Sequence, residues 1–203
     1  MVQTRVPTFT PEQLEVFNAV MNAVTEGQSA QVVIDARGGC GKTYLLNTIL
    51  AAVRGGQSGG ARIAPAMGTT GIAANLLDLG RTFHSRMKAP LSVTEESTLR
   101  VKAQSELANL IRRASLLLID EATMLDRYML EAMDRTLRDL MNEPLKPFGG
   151  KILILAGDFR PPCCPRGNKS RNGQTLLQPI PSLETIQDSQ TLRKHESECQ
   201  RRC

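Results

Sequence analysis

Short apolar runs alternate along the chain with segments whose apolar residues recur every three or four positions. The runs cover residues 31–34, 62–66, 116–119 and 152–155 and predict strands, the first of them buried on both faces because it is unbroken. Helical spacing predicts helices over residues 11–26, 44–53, 72–79, 92–114 and 127–143, with a polar connector at 80–85. Strands that alternate with helices predict an α/β domain with a mostly parallel sheet flanked by helices.

The first predicted helix has clear end signals. Thr10 suits the N-cap, Pro11 suits the first helical position, and Gln13 is placed to close a capping box. Gly27 can end the helix. The predicted buried face of this helix holds Leu14, Phe17, Met21 and Val24.

The stretch Ala-Arg-Gly-Gly-Cys-Gly-Lys-Thr, at residues 36–43, lies between the first predicted strand and the second predicted helix. This arrangement is typical of a phosphate-binding P-loop, in which glycines allow consecutive backbone N–H groups to point at phosphate oxygens. We expect Lys42 to reach the β- and γ-phosphates and the Thr43 hydroxyl to ligate Mg²⁺. Ala36 stands where the motif usually has its first glycine, which is a mild replacement. The nucleotide-binding residues predicted from this stretch are Gly38, Gly39, Cys40, Gly41, Lys42, Thr43 and Tyr44.

Acidic side chains follow two of the other predicted strands. Asp120 and Glu121 come directly after the third apolar run, and Asp158 comes soon after the fourth. Because the carboxyl ends of parallel strands meet at one edge of a sheet, we expect these carboxylates to lie near the P-loop. An acidic residue at a strand tip can hold Mg²⁺, and a second one can orient or deprotonate an attacking water. We therefore predict Asp120 as a metal ligand, and Glu121 with Lys42 as the catalytic residues.

Composition narrows the classes of protein that the chain can belong to. Its 203 residues are enough for one good-sized domain, and no apolar run approaches the length that spans a bilayer. The net charge is +5 and aromatic residues make up 3%, so extensive base-stacking surfaces are not expected. The cysteine count is five, an odd number, and the N-terminus lacks the apolar core of a secretory signal. These features predict a protein of the nucleus or the cytoplasm without a disulfide framework or a membrane partner.

The character of the chain changes after residue 160. Prolines stand at 161, 162 and 165, and few large apolar residues follow Leu183, so we predict a folded domain at 1–160 and a poorly ordered tail at 161–203. Eight of the 25 Lys and Arg residues lie between residues 160 and 203. His195, Cys199 and Cys203 fall four positions apart and leave open a zinc site completed by Cys163 or Cys164, although this spacing matches no common zinc finger.

Several motifs, taken in their order and spacing, resemble those of one helicase family. The chain is similar, over roughly residues 9–160, to the first motor domain of the PIF-type (petite integration frequency) DNA helicases, including those of Helitron transposons. The segments that carry the resemblance are Phe-Thr-Pro-Glu-Gln at 9–13, the P-loop, Gly-Thr-Thr-Gly-Ile-Ala-Ala at 68–74, Gly-Arg-Thr-Phe-His-Ser at 80–85, Ile-Asp-Glu-Ala at 119–122, and residues 149–160.

The resemblance implies a RecA-like fold, Mg²⁺-dependent ATP hydrolysis, and 5′-to-3′ movement along single-stranded DNA or into a forked duplex. It implies that Gln13 recognises adenine, with the capping-box role as an alternative that is compatible with it. Thr69, Thr70 and Gly71 would touch the DNA backbone, although these residues also suit an ordinary helix N-terminus. Phe83 and His84 would lie beside the strand, and His84 is alternatively a hydrogen-bonded loop histidine. The cellular roles implied are DNA repair, recombination and telomere maintenance.

Two departures from the family pattern lead to alternative hypotheses. A glutamine that senses the γ-phosphate normally follows Gly-Asp-Phe-Arg, but Pro161 occupies its place here. The second RecA-like domain, with its arginine finger, does not follow either, which indicates a truncated or rearranged product. The alternative to a helicase is therefore a non-catalytic ATP- or DNA-binding remnant. The Gly-Arg-Thr-Phe-His-Ser stretch argues against a third possibility, a loader or transposition ATPase.

Overall fold

A parallel sheet forms the centre of the protein. The computed structural model describes residues 2–56 and 60–159. Within this part the sheet has the strand order β1-β5-β4-β2-β3, and every neighbouring pair is parallel. The strands are β1 Gln31–Asp35, β2 Ala66–Gly68, β3 Arg81–Thr82, β4 Leu116–Asp120 and β5 Ile152–Gly157. The α/β prediction with a mostly parallel sheet is confirmed.

Helices cover both faces of this sheet. They are α1 Val2–Arg5, α2 Pro11–Glu26, α3 Lys42–Arg54, α4 Gly71–Leu76, α5 Phe83–Met87, α6 Glu106–Arg113 and α7 Arg127–Met141. Short 3₁₀ turns lie at Val6–Thr8, Ala122–Met124 and Pro147–Gly150.

The ends of α2 are those that the sequence predicts. The Thr10 hydroxyl accepts a hydrogen bond from the Gln13 N–H, and the Gln13 side chain accepts one from the Thr10 N–H. Gly27 ends the helix in the left-handed conformation, with φ 68°. The prediction for the buried face is wrong at Leu14, which is 37% exposed, because the face that meets the core is centred on Val20 and Val24.

The sheet separates two clusters of buried side chains. Leu116 and Leu118 of β4 point to the side of α2 and α3, where the first cluster lies. Leu117 and Ile119 point to the other side, which α5, α6 and α7 cover. This alternation follows from the two-residue period of a strand, and it explains why the central strands read as unbroken apolar runs.

The expectation that β1 is buried on both faces is wrong. Val32 and Ile34 are each 7% exposed, whereas Val33, which points to the opposite face, is 37% exposed. In the described part of the chain β1 is the last strand on its side of the sheet and pairs with β5 alone. An edge position leaves one face of a strand less covered than the faces of central strands, so an unbroken apolar run did not guarantee full burial.

The predicted long helix over residues 92–114 is also wrong. Only α6 is helical there, and it starts with Ser105 as its N-cap, the Ser105 side chain accepting from the Ala108 N–H. The preceding segment is held by side chains of α7. The Leu99 N–H donates to Thr136 Oγ1 at 3.0 Å, and the Arg135 guanidinium donates to the Ser97 carbonyl. Leu99 is buried, as its apolar spacing suggested, but as part of an irregular segment.

Two further elements differ from their predictions. The strand predicted at 62–66 is displaced to β2, and before it Ile63 makes only an isolated bridge to Ala114. Pro65 has no N–H to donate, and only its carbonyl is used, accepting from the Leu118 N–H. The polar connector at 80–85 contains β3 and the start of α5, which is capped by Thr82.

Some predictions concern residues that the structure does not describe. The boundary at 160, the tail at 161–203, the substitution at Pro161 and the alternative zinc ligands all lie outside the described residues. Over residues 2–56 and 60–159, no helix is both long enough and apolar enough to cross a bilayer.

Candidate nucleotide and nucleic-acid site

The P-loop joins the end of β1 to the start of α3. Gly41 caps α3 with φ 75°, and Gly39 has φ 81°, a region that residues with a Cβ adopt only with strain. A Cβ on Gly41 would also lie 2.9 Å from Gln13 Nε2. The Ala36 N–H donates to the Gly157 carbonyl at 3.0 Å, which fixes the first residue of the loop to the end of β5. Gly38, Gly39 and Cys40 are exposed, so this face of the loop is open to a ligand.

The two residues predicted to be catalytic meet in the structure. Lys42 Nζ lies 3.5 Å from Glu121 Oε1, although 79 positions separate them in sequence. The Lys42 side chain is 9% exposed and that of Glu121 is 38% exposed. β5 lies between their strands, so the P-loop and the end of β4 face each other across the tip of β5. A mostly buried ammonium beside a carboxylate that water can reach is a suitable arrangement for phosphate chemistry.

Asp120 ends β4 and is only 2% exposed. Burial raises the pKa of this carboxyl above its usual value, and the hydrogen bond from the Glu121 N–H and the charge of Lys42 offset the rise only in part. Asp120 Oδ1 accepts the Glu121 N–H at 2.9 Å. A desolvated carboxylate at a strand tip and a half-buried hydroxyl, that of Thr43, are hard oxygen donors of the kind that Mg²⁺ takes together with water and phosphate oxygens. The residues present therefore fit a magnesium ion.

Gln13 contacts the P-loop directly. Its Nε2 donates to the Cys40 carbonyl at 3.1 Å, while its Oε1 serves the capping box. The capping-box role is thus present, and the side chain also links α2 to the phosphate-binding loop. Recognition of adenine by Gln13 stays a prediction.

Tyr44 packs against the N-terminal segment. Its hydroxyl lies 3.0 Å from Thr8 Oγ1, and its ring meets Phe9 edge-on with centroids 5.9 Å apart. The Arg5 guanidinium lies 5.1 Å from the centre of the same ring. These contacts give Tyr44 a structural role at the start of α3, and its role in nucleotide binding stays a prediction.

The two threonines after β2 use their hydroxyls differently. Thr70 caps α4, its Oγ1 accepting from the Ala73 N–H at 3.1 Å. Thr69 Oγ1 donates to the Glu121 carbonyl at 2.8 Å. Gly71, the first residue of α4, is exposed. The segment predicted to touch DNA is therefore in direct contact with the segment predicted to activate water.

Phe83 and His84 begin α5 and have different surroundings. Phe83 is completely buried in the cluster under α5, α6 and α7, so its side chain in this structure is not available to a DNA strand. Placement of this segment beside a DNA strand stays a prediction. His84 is half-buried and its ring lies against Phe83 with centroids 6.1 Å apart.

Comparison with known proteins places this site in a family. The model of the PIF1-like helicase family matches residues 8–195. The chain belongs to the PIF1-like helicases.

Relatives in this family cover the described domain. The chain is 33% identical over 147 residues to the ATP-dependent DNA helicase Pif1 of Psychrobacter sp., covering 70% of this chain and 21% of that protein. It is 31% identical over 163 residues to human ATP-dependent DNA helicase PIF1, covering 75% of this chain and 22% of the relative. The chain therefore spans about a fifth of the length of these curated relatives.

Solved structures of Pif1 helicases share the fold. The Bacteroides Pif1 helicase in complex with ADP-AlF3 and single-stranded DNA superposes with a TM-score of 0.58 and 28% identity, over 75% of this chain and 34% of that one. A structure addressing DNA unwinding at forked double-stranded DNA by two coordinating Pif1 helicases gives a TM-score of 0.57, 28% identity, and coverage of 78% and 36%. The RecA-like fold expected from the sequence is confirmed.

One feature of this PIF1-like domain was not predicted. An open cavity of about 450 Å³ lies between α5 and the segment that leads into α6. Its charged lining residues are all basic: Lys88, Arg100 and Lys102, with His84 beside them. No carboxylate lines it in the described part of the chain. The cavity depends on the irregular course of residues 92–105, which the predicted long helix obscured.

Proposed function

We propose that this chain binds Mg-ATP and hydrolyses it as the first motor domain of a 5′-to-3′ DNA helicase. The observation that carries the proposal is the 3.5 Å contact between Lys42 Nζ and Glu121 Oε1 at the mouth of the P-loop. The names of the relatives, and the bound ADP-AlF3 and single-stranded DNA in the Bacteroides Pif1 structure, support the same activity.

The residues divide the chemistry of ATP hydrolysis among them. Water attacks the γ-phosphorus, the bond from that phosphorus to the β–γ bridging oxygen breaks, and ADP leaves. Glu121 orients the water and accepts its proton. Lys42 and the P-loop N–H groups neutralise charge on the β- and γ-phosphates. Thr43 and Asp120 would hold Mg²⁺, which supplies further charge neutralisation when bound.

Nucleotide binding changes the partner of Lys42. In this structure Lys42 pairs with Glu121. When the γ-phosphate arrives, its larger negative charge attracts the ammonium, and Glu121 is released to orient water. The ion pair thus keeps the Glu121 carboxylate close to the site, and the carboxylate becomes free to orient water only when ATP is bound.

The nucleic-acid side of the proposal rests on Thr70, Gly71 and His84, which lie beyond the carboxyl ends of β2 and β3. We propose that single-stranded DNA, alone or at a fork, passes over this edge, and that the protein works in the nucleus or the cytoplasm where such DNA occurs. The described residues supply one face of an ATP site. The arginine finger of the other face would come from a second motor domain, in the same polypeptide or in another.

The test is steady-state hydrolysis of ATP with and without single-stranded DNA, together with calorimetric titration of Mg-ATP. We expect Lys42→Ala to lose tight Mg-ATP binding. We expect Glu121→Gln to keep binding and lose about 100-fold or more in turnover, since a general base contributes roughly 10²–10⁴.

The matched control is the exposed ion pair of Lys146 and Glu143, which lies 3.0 Å apart and is distant from the P-loop in sequence. Lys146→Ala and Glu143→Gln should leave both measurements unchanged. Equal Mg-ATP affinity in the parent and in Lys42→Ala would contradict the assignment of the P-loop.

The alternative is a domain that binds ATP or DNA without hydrolysis. Pro161 in place of the expected glutamine favours it, because proline offers neither an N–H nor a polar side chain. Tight Mg-ATP binding with no turnover above the level of Glu121→Gln, in the presence of DNA, would establish this alternative.

A further inference from the structure

Thr69 lies where the nucleotide side and the nucleic-acid side of the domain meet. The last residue of β2, Gly68, pairs with Asp120, so Thr69 follows directly beside the end of β4. Its N–H donates to the Asp120 carbonyl at 3.1 Å. Its Oγ1 lies 2.8 Å from the Glu121 carbonyl and 3.3 Å from the Asp120 carbonyl. The single hydroxyl proton therefore goes mainly to Glu121.

Glu121 needs support because its backbone is strained. It has φ 54° and ψ 39°, a left-handed conformation that is unfavourable for an L-residue with a Cβ. Both the backbone N–H and the backbone carbonyl of Glu121 are hydrogen-bonded. The Glu121 N–H donates to Asp120 Oδ1, and its carbonyl accepts from Thr69 Oγ1 and from the Met124 N–H at 3.0 Å.

The orientation of a carboxylate follows the peptide groups on either side of its Cα. The Thr69 hydroxyl and the Met124 N–H fix the peptide after Glu121, and Asp120 fixes the peptide before it. With both peptides fixed, the side chain of Glu121 starts from a defined direction, and its Oε1 reaches Lys42 at 3.5 Å. Loss of the Thr69 hydroxyl leaves the Glu121 carbonyl with the Met124 N–H as its remaining donor, so the strained backbone can relax and move the carboxylate.

We propose that Thr69 is a positioning residue for hydrolysis, acting through the backbone of Glu121. The inference rests on the proposed function, because it assumes that Glu121 orients the attacking water. This role also distinguishes Thr69 from Thr70 and Gly71, which we propose to contact DNA. A hydroxyl has one proton, and a DNA phosphate could take that proton only by removing it from the Glu121 carbonyl. Contact with DNA is thus left to Thr70, Gly71 and His84.

The experiment compares Thr69→Val, Thr69→Ser and the parent protein. Valine keeps the branched shape and the backbone N–H but removes the hydroxyl, whereas serine restores the hydroxyl. The control is Thr25→Val, which removes a hydroxyl that donates to a backbone carbonyl, that of Met21 at 2.8 Å, on α2. Measured quantities are kcat and KM for ATP, the Kd for single-stranded DNA by fluorescence anisotropy, and Tm.

We expect Thr69→Val to lower kcat by about 10- to 100-fold, as small misplacements of a catalytic group do. KM for ATP and Kd for DNA should stay unchanged, and Thr69→Ser should recover most of kcat. Thr25→Val should match the parent. An unchanged kcat in Thr69→Val would overturn the inference. A raised Kd for DNA with an unchanged DNA-independent kcat would overturn it in favour of a direct DNA contact. An equal loss of kcat in Thr69→Val and Thr69→Ser would overturn it by assigning the effect to packing.

A second measurement does not need hydrolysis. The amide of Ala122 belongs to the same peptide group as the Glu121 carbonyl, so its resonance in a ¹H–¹⁵N spectrum reports on the Thr69 hydrogen bond. We expect this resonance to shift in Thr69→Val and to return in Thr69→Ser. If the parent hydrolyses no ATP, the proposed function fails, while an unmoved Ala122 resonance would overturn the inference by itself. Should Thr69→Val not fold, Thr69→Ala provides the same test.

Discussion

Gln13 uses both ends of its amide at once. Its Oε1 accepts the Thr10 N–H and so caps α2, while its Nε2 donates to the Cys40 carbonyl in the P-loop. Gln13 thus completes the capping box of α2 and also contacts the P-loop. The position of α2 is therefore coupled to the shape of that loop. Gly41 adds to this coupling, since a Cβ there would meet Gln13 Nε2.

The two functions of Gln13 can be separated by Gln13→Glu. Glutamate can accept from the Thr10 N–H and complete the capping box, but it cannot donate to the Cys40 carbonyl. We expect Tm to stay close to that of the parent and the Kd for Mg-ATP, measured by calorimetry, to rise. A single hydrogen bond is worth about 0.5–1.5 kcal/mol, which corresponds to roughly 2- to 12-fold in Kd. Gln13→Ala, as the comparison, should lose both the cap and the loop contact. Equal Mg-ATP affinity in the parent and in Gln13→Glu would show that the loop does not depend on α2.

Asp120→Asn should make the nucleotide-free protein more stable. Burial raises the pKa of Asp120, so the folded state disfavours its charged form. The stability that Asp120 contributes is fully present below its unfolded pKa of about 3.8 and is lost as pH rises through the higher folded pKa. At pH 7, removing the charge should therefore raise Tm, by about 2–4 °C for each kcal/mol gained.

The same substitution should weaken the Mg²⁺ dependence of ATP binding, since it removes the metal ligand that we propose. Melting curves between pH 4 and pH 7 provide the check. The Tm advantage of Asp120→Asn should grow across that range, and an advantage that shrinks with pH would contradict the burial argument.

Lys151 is a buried lysine with a structural role. Its side chain donates to the carbonyls of Arg112 and Ala114 at the end of α6, at 2.6 and 2.8 Å, and it is 8% exposed. Burial lowers the pKa of its ammonium. Lys151→Met keeps the aliphatic length but leaves both carbonyls without this donor, so we expect a loss of about 1–3 kcal/mol in unfolding free energy by urea titration. Lys102→Met, on an exposed lysine, is the control and should change stability little. A loss of the same size in both variants would refute the structural role.

Thr136 anchors the irregular segment before α6. Its hydroxyl accepts the Leu99 N–H and donates to the Ala132 carbonyl at 2.7 Å. Thr136→Val removes the acceptor for a buried N–H, which should cost about 1–3 kcal/mol. Because the contact holds residues 92–105 against α7, limited proteolysis should cut this segment faster in the variant. Unchanged cleavage there, with lowered stability elsewhere, would mean that the segment is held by other contacts.

The sequence predicted correctly those parts of the domain whose structure is determined by residues close together in the chain. The capping box of α2 and the P-loop are both set by residues within a few positions of one another, and both were predicted. β4 and β5 were predicted because strands buried on both faces need continuous apolar residues.

Predictions failed where the chain depends on distant partners. The segment at 92–105 has helical spacing at Leu99, yet hydrogen bonds with α7 take the place of a helix. The Leu99 N–H donates to Thr136, and the Ser97 carbonyl accepts from Arg135. The bond from Thr69 to Glu121 spans 52 positions, so no local pattern could reveal it.

Because the sheet separates two buried clusters, a substitution in one cluster has little effect on the packing of the other. Adjacent residues of β4 and β5 belong to different clusters, with Ile154 on the side of α3 and Leu153 and Leu155 on the side of α7. A change in side-chain volume on one side is compensated by neighbours on that side, and not by neighbours across the backbone. The domain can thus accumulate mutations in the cluster on the side of α2 and α3 while the cluster under α5, α6 and α7 stays unchanged.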